Sequence, residues 1–78
     1  MALVTEINAI QKTGQPHEPC ECCYFVVETK NGRRLLTLET YGRDSRKMPG
    51  KVSQSIQFDE QGAKRLRELL DRVFPISK

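Results

Sequence analysis

The chain has 78 residues, 13 Lys and Arg against 10 Asp and Glu, and a formal net charge of +3 at neutral pH. This length allows one small domain, and small folds usually need a disulfide, a metal or a partner subunit beside their own core. No apolar run is long enough to cross a membrane, and the N-terminus lacks the basic region and apolar stretch of a secretion signal. We therefore expect a cytoplasmic or nucleoid-associated protein that is not secreted and does not enter a membrane.

The first 19 residues read as an ambiguous segment followed by a loop. Alternate residues in 1–12 fit one face of a strand, and the β-branched residues among them favour that structure over a helix. The competing helical stripe consists of Leu3, Val4, Ile7 and Ile10. Residues 13–19 contain one Gly and two Pro, which predicts a loop.

The sequence Lys30-Asn31-Gly32-Arg33 predicts a β-hairpin. Asn followed by Gly favours a two-residue type I′ turn, because both residues tolerate positive φ. This turn joins strands 22–29 and 33–42 and places Val27 opposite Leu36. Directly opposed residues share a sheet face, so the hairpin acquires a core face and an open face. The predicted core face consists of Cys23, Phe25, Val27, Leu36, Leu38 and Thr40. The predicted open face consists of Cys22, Tyr24, Val26, Glu28, Leu35, Thr37, Glu39 and Tyr41.

A basic loop, a third clear strand and a helix complete the chain. Residues 42–51 form the loop, and alternation in Val52–Phe58 predicts the strand. Asp59 is a suitable N-cap for a helix to about Phe74, which Pro75 then ends. Its apolar arc spans about 140°, wider than a simple surface helix needs, which suggests a dimer. That arc consists of Ala63, Leu66, Leu69, Leu70, Val73 and Phe74. The expected fold is α+β: a four-stranded antiparallel sheet followed by one C-terminal helix (ββββα), in a single domain over residues 1–78.

The open face combines tyrosines and hydroxyl groups with basic residues at both ends of its strands. Aromatic rings stack on unpaired bases at about 1–3 kcal/mol per base, and Lys and Arg neutralise phosphates. Glu28 and Glu39 on this face oppose phosphates, so bases must lie above them. The sequence thus predicts binding of single-stranded DNA or RNA through Tyr24, Lys30, Arg33, Arg34, Thr37, Tyr41, Arg43, Arg46, Lys47, Lys51, Ser53 and Ser55. The alternatives are a plain solvent face, a face covered by the N-terminal segment, and a protein-interaction module that docks through Val26 and Leu35.

The cysteine-rich segment offers four possible zinc ligands, namely His17, Cys20, Cys22 and Cys23. The spacing lacks the Cys-x-x-Cys knuckle of structural sites, and adjacent strand residues point to opposite faces. A small metal-binding protein therefore remains an alternative, and we expect reduced thiols and no cofactor. The single His lies in a Pro-containing loop and no phosphate-binding or HExxH motif occurs, so we do not expect an enzyme.

The order of these elements resembles a PUR repeat over residues 22–74. An aromatic pair, Tyr24-Phe25, opens one strand; the turn Lys30–Arg33 follows; and an aliphatic pair, Leu35-Leu36, opens the next. The basic loop, the strand Val52–Phe58 and the amphipathic helix continue the pattern, and the Whirly and positive-cofactor coactivator folds are similar more distantly. The resemblance implies single-stranded nucleic-acid binding on the sheet. It also implies an intertwined homodimer that interlocks through Leu66, Leu69, Leu70, Val73 and Phe74.

Overall fold

The computed structural model describes residues 1–41 and 52–76. Four strands precede one helix: β1 (Ala2–Val4), β2 (Glu21–Glu28), β3 (Arg34–Tyr41), β4 (Gln54–Phe58) and α1 (Glu60–Val73). The predicted α+β fold, with four strands followed by one C-terminal helix, is confirmed. The two clear hairpin strands, the third strand and the helix lie within two residues of their predicted bounds.

The sheet is mixed rather than antiparallel throughout. Its strand order is β1-β4-β3-β2. β3 pairs antiparallel with β2 and with β4, but β1 pairs parallel with β4, with Ala2 opposite Ile56. The connection 5–20 must cross from one edge of the sheet to the other, and its length suffices for such a crossover. The N-terminal pattern predicted a strand but held no information about its neighbour, so the antiparallel prediction was wrong for β1.

The hairpin turn has three residues instead of two. The Thr29 N–H donates to the Arg33 carbonyl at 2.8 Å, and the Gly32 N–H donates to the Thr29 carbonyl at 3.0 Å. Gly32 has φ +81°, and none of the described residues other than glycine has a positive φ. Asn31 therefore does not adopt the type I′ conformation, which requires a positive φ. A type I turn followed by a left-handed Gly is the usual three-residue hairpin loop. The Thr29 hydroxyl stabilises it by accepting from the Arg33 N–H at 3.1 Å.

This extra loop residue shifts the register of the hairpin by one. Val27 lies opposite Leu35 and Val26 opposite Leu36, so the two predicted faces of the hairpin were wrong. A one-residue slip moves every side chain of one strand to the other face. The even-numbered face contains Ala2, Val4, Cys22, Tyr24, Val26, Glu28, Arg34, Leu36, Leu38, Thr40, Gln54, Ile56 and Phe58. The odd-numbered face contains Leu3, Glu21, Cys23, Phe25, Val27, Leu35, Thr37, Glu39, Tyr41, Ser55 and Gln57.

The helix begins beside the end of β1. Asp59 is the N-cap, as predicted, and its carboxylate accepts from the Gly62 N–H at 2.7 Å. The Arg65 guanidinium donates to the Ile7 carbonyl at 3.3 Å, which attaches the middle of the helix to the chain after β1. The last turns are not covered: Leu70 is 49 %, Val73 62 % and Phe74 72 % exposed.

The fold buries little apolar side chain by itself. Among the described apolar residues only Phe58 is fully buried. The chain exposes 7557 Å², about 2,700 Å² more than the roughly 4,900 Å² expected for a compact monomer of its mass. Its radius of gyration is 14.8 Å, against about 11.5 Å for a compact chain of this length. Part of this excess is the connection over residues 8–20, every residue of which is exposed.

Candidate nucleic-acid interface

The structure divides the predicted binding residues between the two sheet faces. Thr37, Tyr41 and Ser55 lie on the odd-numbered face, whereas Tyr24 lies on the even-numbered face and is 74 % exposed. The prediction that these four residues share one face was wrong. The cause is the three-residue turn, which reversed the faces of β3 relative to β2.

Those of the predicted basic residues that the structure describes lie near the hairpin tip. Lys30 is an exposed residue of the turn and Arg33 follows it directly. Arg34 opens β3 opposite Glu28, on the even-numbered face. Ser53 lies just before β4, where its N–H donates to the Thr40 carbonyl at 2.8 Å. The predicted contacts at Arg43, Arg46, Lys47 and Lys51 lie outside the described residues.

The centre of the odd-numbered face is a neutral polar floor with an aromatic ring beside it. Thr37 is 2 % exposed, and its hydroxyl oxygen accepts from the Gln57 side-chain amide at 3.1 Å. Phe25 lies opposite Thr37 on the neighbouring strand and is 44 % exposed. A half-exposed ring halfway along the edge strand β2 presents a π surface to any ligand above it.

Phe25 is absent from the predicted binding residues, because the predicted two-residue turn placed it on the core face. The signal that could have placed it correctly is Thr29 before Lys30-Asn31-Gly32. A Thr hydroxyl can bond to nearby backbone N–H groups, and this favours the longer turn with a single left-handed Gly. With that turn, Phe25 and Tyr41 become the aromatic pair of the odd-numbered face, in place of Tyr24 and Tyr41.

Tyr41 lies at the opposite end of this face from the hairpin tip. It is opposite Glu21 and diagonal to Cys23, which itself faces Glu39. The hydrogen bond with the Cys23 side chain, followed by desolvation and nearby negative charge, raises the pKa of Tyr41 above its ordinary value.

Charge is distributed unevenly along the odd-numbered face. Glu21 and Glu39 lie at the Tyr41 end, whereas Lys30 and Arg33 lie beyond the other end of the strands. The neutral centre around Thr37 separates the two. Among the described residues, those at the hairpin end attract a phosphate and Glu21 and Glu39 repel one, while a base carries no such preference.

The even-numbered face is more apolar and more open. Tyr24, Val26 and Ile56 are 74 %, 55 % and 37 % exposed. A groove of about 750 Å³ lies where this face meets the first turns of α1, lined by Val26, Gly32, Arg33, Arg34, Leu36, Phe58, Asp59, Glu60, Gln61 and Ala63. Half of these lining residues are charged or polar, so the groove offers mixed rather than purely apolar contacts.

The cysteine segment does not converge on one point. Cys22 and Cys23 lie on opposite sheet faces, because they are adjacent residues of β2. In the described part of the chain, no group of three or more His, Cys, Asp or Glu side chains is arranged to hold a metal ion. His17 belongs to the exposed connection before β2.

Comparison with known proteins identified no relative: no family model, no curated sequence and no solved structure matches this chain. The resemblance to PUR repeats therefore stays a prediction. Within the described ranges, no helix has both the length and the apolar character required to cross a membrane.

Proposed function

We propose that the protein binds single-stranded DNA or RNA on its odd-numbered face and that it does so as a homodimer. The observation that carries this proposal is the position of Phe25, a half-exposed ring halfway along the edge strand β2, beside the neutral Thr37–Gln57 floor. The ring is 44 % exposed, so part of its π surface is accessible to a stacked base. Unpaired bases stack on such a ring at about 1–3 kcal/mol each, whatever their sequence.

Tyr41 supplies a second ring for the same strand of nucleic acid. Phe25 faces Thr37, and Tyr41 lies four residues farther along β3, so the Cα atoms of Phe25 and Tyr41 are about 14 Å apart. At that distance the two rings contact different bases. Ser55 and Gln57 on the neighbouring strand supply hydroxyl and amide groups that hydrogen-bond to base edges.

Phosphates are contacted at the hairpin end in this proposal. Lys30 and Arg33 extend beyond the last strand pair, where no acidic residue of the odd-numbered face lies. Glu21 and Glu39 lie under bases or beyond the bound strand. Each phosphate that a Lys or Arg neutralises releases counterions, so affinity falls as salt rises, with a slope of about −0.7 per contact for single strands.

The even-numbered face and the uncovered end of α1 are the surfaces for a second copy. An obligate dimer interface buries about 1,000 Å² or more on each subunit, which is less than the excess surface of about 2,700 Å², part of which belongs to the connection over residues 8–20. The unpartnered apolar arc of the helix complements the open apolar sheet face. The helix residues of this interface are Leu66, Leu69, Leu70, Val73 and Phe74.

Fluorescence anisotropy with labelled single-stranded oligonucleotides and a duplex control, at two salt concentrations, tests the proposal. We expect binding that prefers single strands and weakens with salt. Phe25→Ala should reduce affinity about 5- to 150-fold, the range set by loss of one stacked base. Phe25→Leu keeps apolar area without the ring and should be impaired as well, whereas Ile10→Ala removes an exposed apolar side chain of the connection and should bind normally.

Equal affinity of Phe25→Leu and the unaltered protein would contradict the stacking surface. Absence of any oligonucleotide binding at low salt would refute the nucleic-acid function itself. The exposed Tyr24 and Val26 would then favour the second candidate, a protein-interaction module that docks a partner on the even-numbered face.

A further inference from the structure

Strand β2 forms one edge of the sheet, and this edge is long and unprotected. It has eight residues, and in the described part of the chain no strand pairs with its outer side. The opposite edge, β1, has only three residues. Proteins usually protect a free edge with Pro, Lys, a bulge or a very short strand. β2 contains no Pro or Lys, it pairs with β3 without a bulge, and its only charged residues are the Glu at each end.

The hydrogen bonds of the hairpin determine which backbone groups of β2 point outward. The Thr29 N–H donates to the Arg33 carbonyl, so these two residues form a hydrogen-bonded pair. Such pairs alternate along an antiparallel ladder, and the odd-numbered residues of β2 therefore turn their N–H and C=O groups toward β3. The even-numbered residues turn these groups outward. The outward-facing set consists of Cys22, Tyr24, Val26 and Glu28.

We propose that β2 pairs antiparallel with β2 of a second copy, centred on Phe25, and that this pairing joins two four-stranded sheets into one. The inference rests on the homodimer of the proposed function and names the strand through which the subunits join. A two-fold axis perpendicular to the sheet keeps the odd-numbered faces of both copies on the same side. Because opposed residues share a face, such an axis must pass beside a residue and not between two residues.

The register centred on Phe25 uses the whole outward-facing set. Cys22 lies opposite Glu28 of the partner subunit, so no carboxylate lies opposite another. Tyr24 lies opposite the partner's Val26. All four outward-facing residues thus form hydrogen-bonded pairs between the subunits. A centre one residue away in either direction would pair one end of β2 with a residue outside the strand.

This register also extends the proposed binding surface across the join. The two Phe25 residues form a pair without hydrogen bonds, in which the Cα atoms are about 4.5 Å apart and the side chains are closest. Aromatic residues opposed in this way stabilise antiparallel sheets. Both rings belong to the odd-numbered face, and each is half exposed before pairing. A single strand of nucleic acid that crosses the join therefore contacts Phe25 of both subunits.

Cysteine cross-linking tests the register. In a background of Cys20→Ser, Cys22→Ser and Cys23→Ser, one protein carries Phe25→Cys and the matched control carries Val27→Cys. A disulfide requires Cα atoms about 4.4–6.8 Å apart. The two copies of residue 25 meet this requirement, whereas the two copies of residue 27 lie four residues apart, about 13 Å along the strand. After mild oxidation we expect about tenfold more cross-linked dimer from Phe25→Cys than from Val27→Cys on non-reducing gels.

A proline variant tests the pairing itself. Val26→Pro removes an N–H that points outward, so one copy keeps all its own sheet hydrogen bonds while pairing with a second copy is blocked. Val26→Thr retains this N–H and the β-branched shape, and it is the matched control. We expect Val26→Pro to sediment as a monomer and Val26→Thr as a dimer, with the same circular-dichroism spectrum for both.

Equal cross-linking of the two cysteine variants, or a folded Val26→Pro protein that remains a dimer, would refute the edge pairing and leave nucleic-acid binding and the helix interface intact. If Val26→Pro fails to fold, the cross-linking ratio decides alone. An unaltered chain that sediments as a monomer would refute the homodimer and this inference with it. Oligonucleotide titration of the same sample decides separately whether the protein binds nucleic acid.

Discussion

Replacement of Gly62 by Ala in the first turn of α1 has two opposing effects on the stability of the fold. A Gly-to-Ala change within a helix normally stabilises it by about 1 kcal/mol, because Ala loses less backbone entropy on folding. At this position, however, an added Cβ would overlap the backbone carbonyl oxygen of Val4 and lie 3.3 Å from the capping carboxylate of Asp59. A backbone atom held in the sheet does not move aside as a flexible side chain would.

The magnitude favours destabilisation. Relief of the overlap requires the helix start to separate from β1, a strand of only three residues. The 3.4 Å hydrogen bond from the Asp59 N–H to the Val4 carbonyl would be lost in that movement. Overpacking costs about 1–3 kcal/mol, and a lost hydrogen bond about 1 kcal/mol more. After the helical gain of about 1 kcal/mol, we expect a net loss of about 1–3 kcal/mol.

Thermal unfolding followed by circular dichroism measures this effect. A loss of about 1–3 kcal/mol lowers the Tm of a domain of this size by about 4–24 °C. Gly14→Ala is the matched control, because a Cβ there meets nothing within 4 Å and the residue has no positive φ. Its Tm should be unchanged or slightly higher. A Gly62→Ala protein more stable than the unaltered chain would refute the close approach of helix and β1.

Two further predictions concern the odd-numbered face and the dimer. Because the hydrogen bond with Cys23 is the largest cause of the raised pKa of Tyr41, Cys23→Ala should lower that pKa, measured by tyrosinate absorbance in a Tyr24→Phe background. A raised native pKa means that the contribution of Tyr41 to stability is complete below its ordinary pKa near 10 and is lost as pH rises through the native value; an unchanged titration would contradict the contact. Phe74→Asp places a charge on the uncovered helix arc and should convert a dimer to a monomer in sedimentation velocity, whereas Ile76→Asp, beyond the helix, should not. Equal sedimentation of the two variants would refute the helix interface.

The hairpin shows how much of a structure a local sequence pattern can predict. Alternating apolar residues and the Asn31-Gly32 pair predicted both strands and the turn between them. The difference between a two-residue and a three-residue loop depends on one hydrogen-bonding side chain, Thr29, and on Asn31 retaining negative φ. The one extra loop residue decides which side chains share a face, and so it placed Phe25 in the candidate site instead of Tyr24.

The N-terminal strand illustrates the opposite case. Residues 1–12 contained enough β-branched residues to favour a strand, yet only Ala2–Val4 form one. A strand of three residues has no independent stability, and it exists because β4 supplies hydrogen-bond partners along its free edge. No local pattern encodes that edge, so neither the short length of β1 nor its parallel direction could be predicted.

The sequence by itself determined the parts of this protein that depend on neighbours along the chain. Residue alternation produces β2, β3 and β4, and the Asp59 carboxylate and an apolar arc of period 3.6 define the start and inner face of α1. The tertiary structure decided the register of β2 on β3, the parallel pairing of β1 and the close contact at Gly62. These features depend on atoms far apart in the chain meeting within a few ångströms, where a one-residue shift reverses a whole face. The candidate binding surface lies on the odd-numbered face. The sequence therefore predicted which types of residue form the surface, but not which individual residues lie on it.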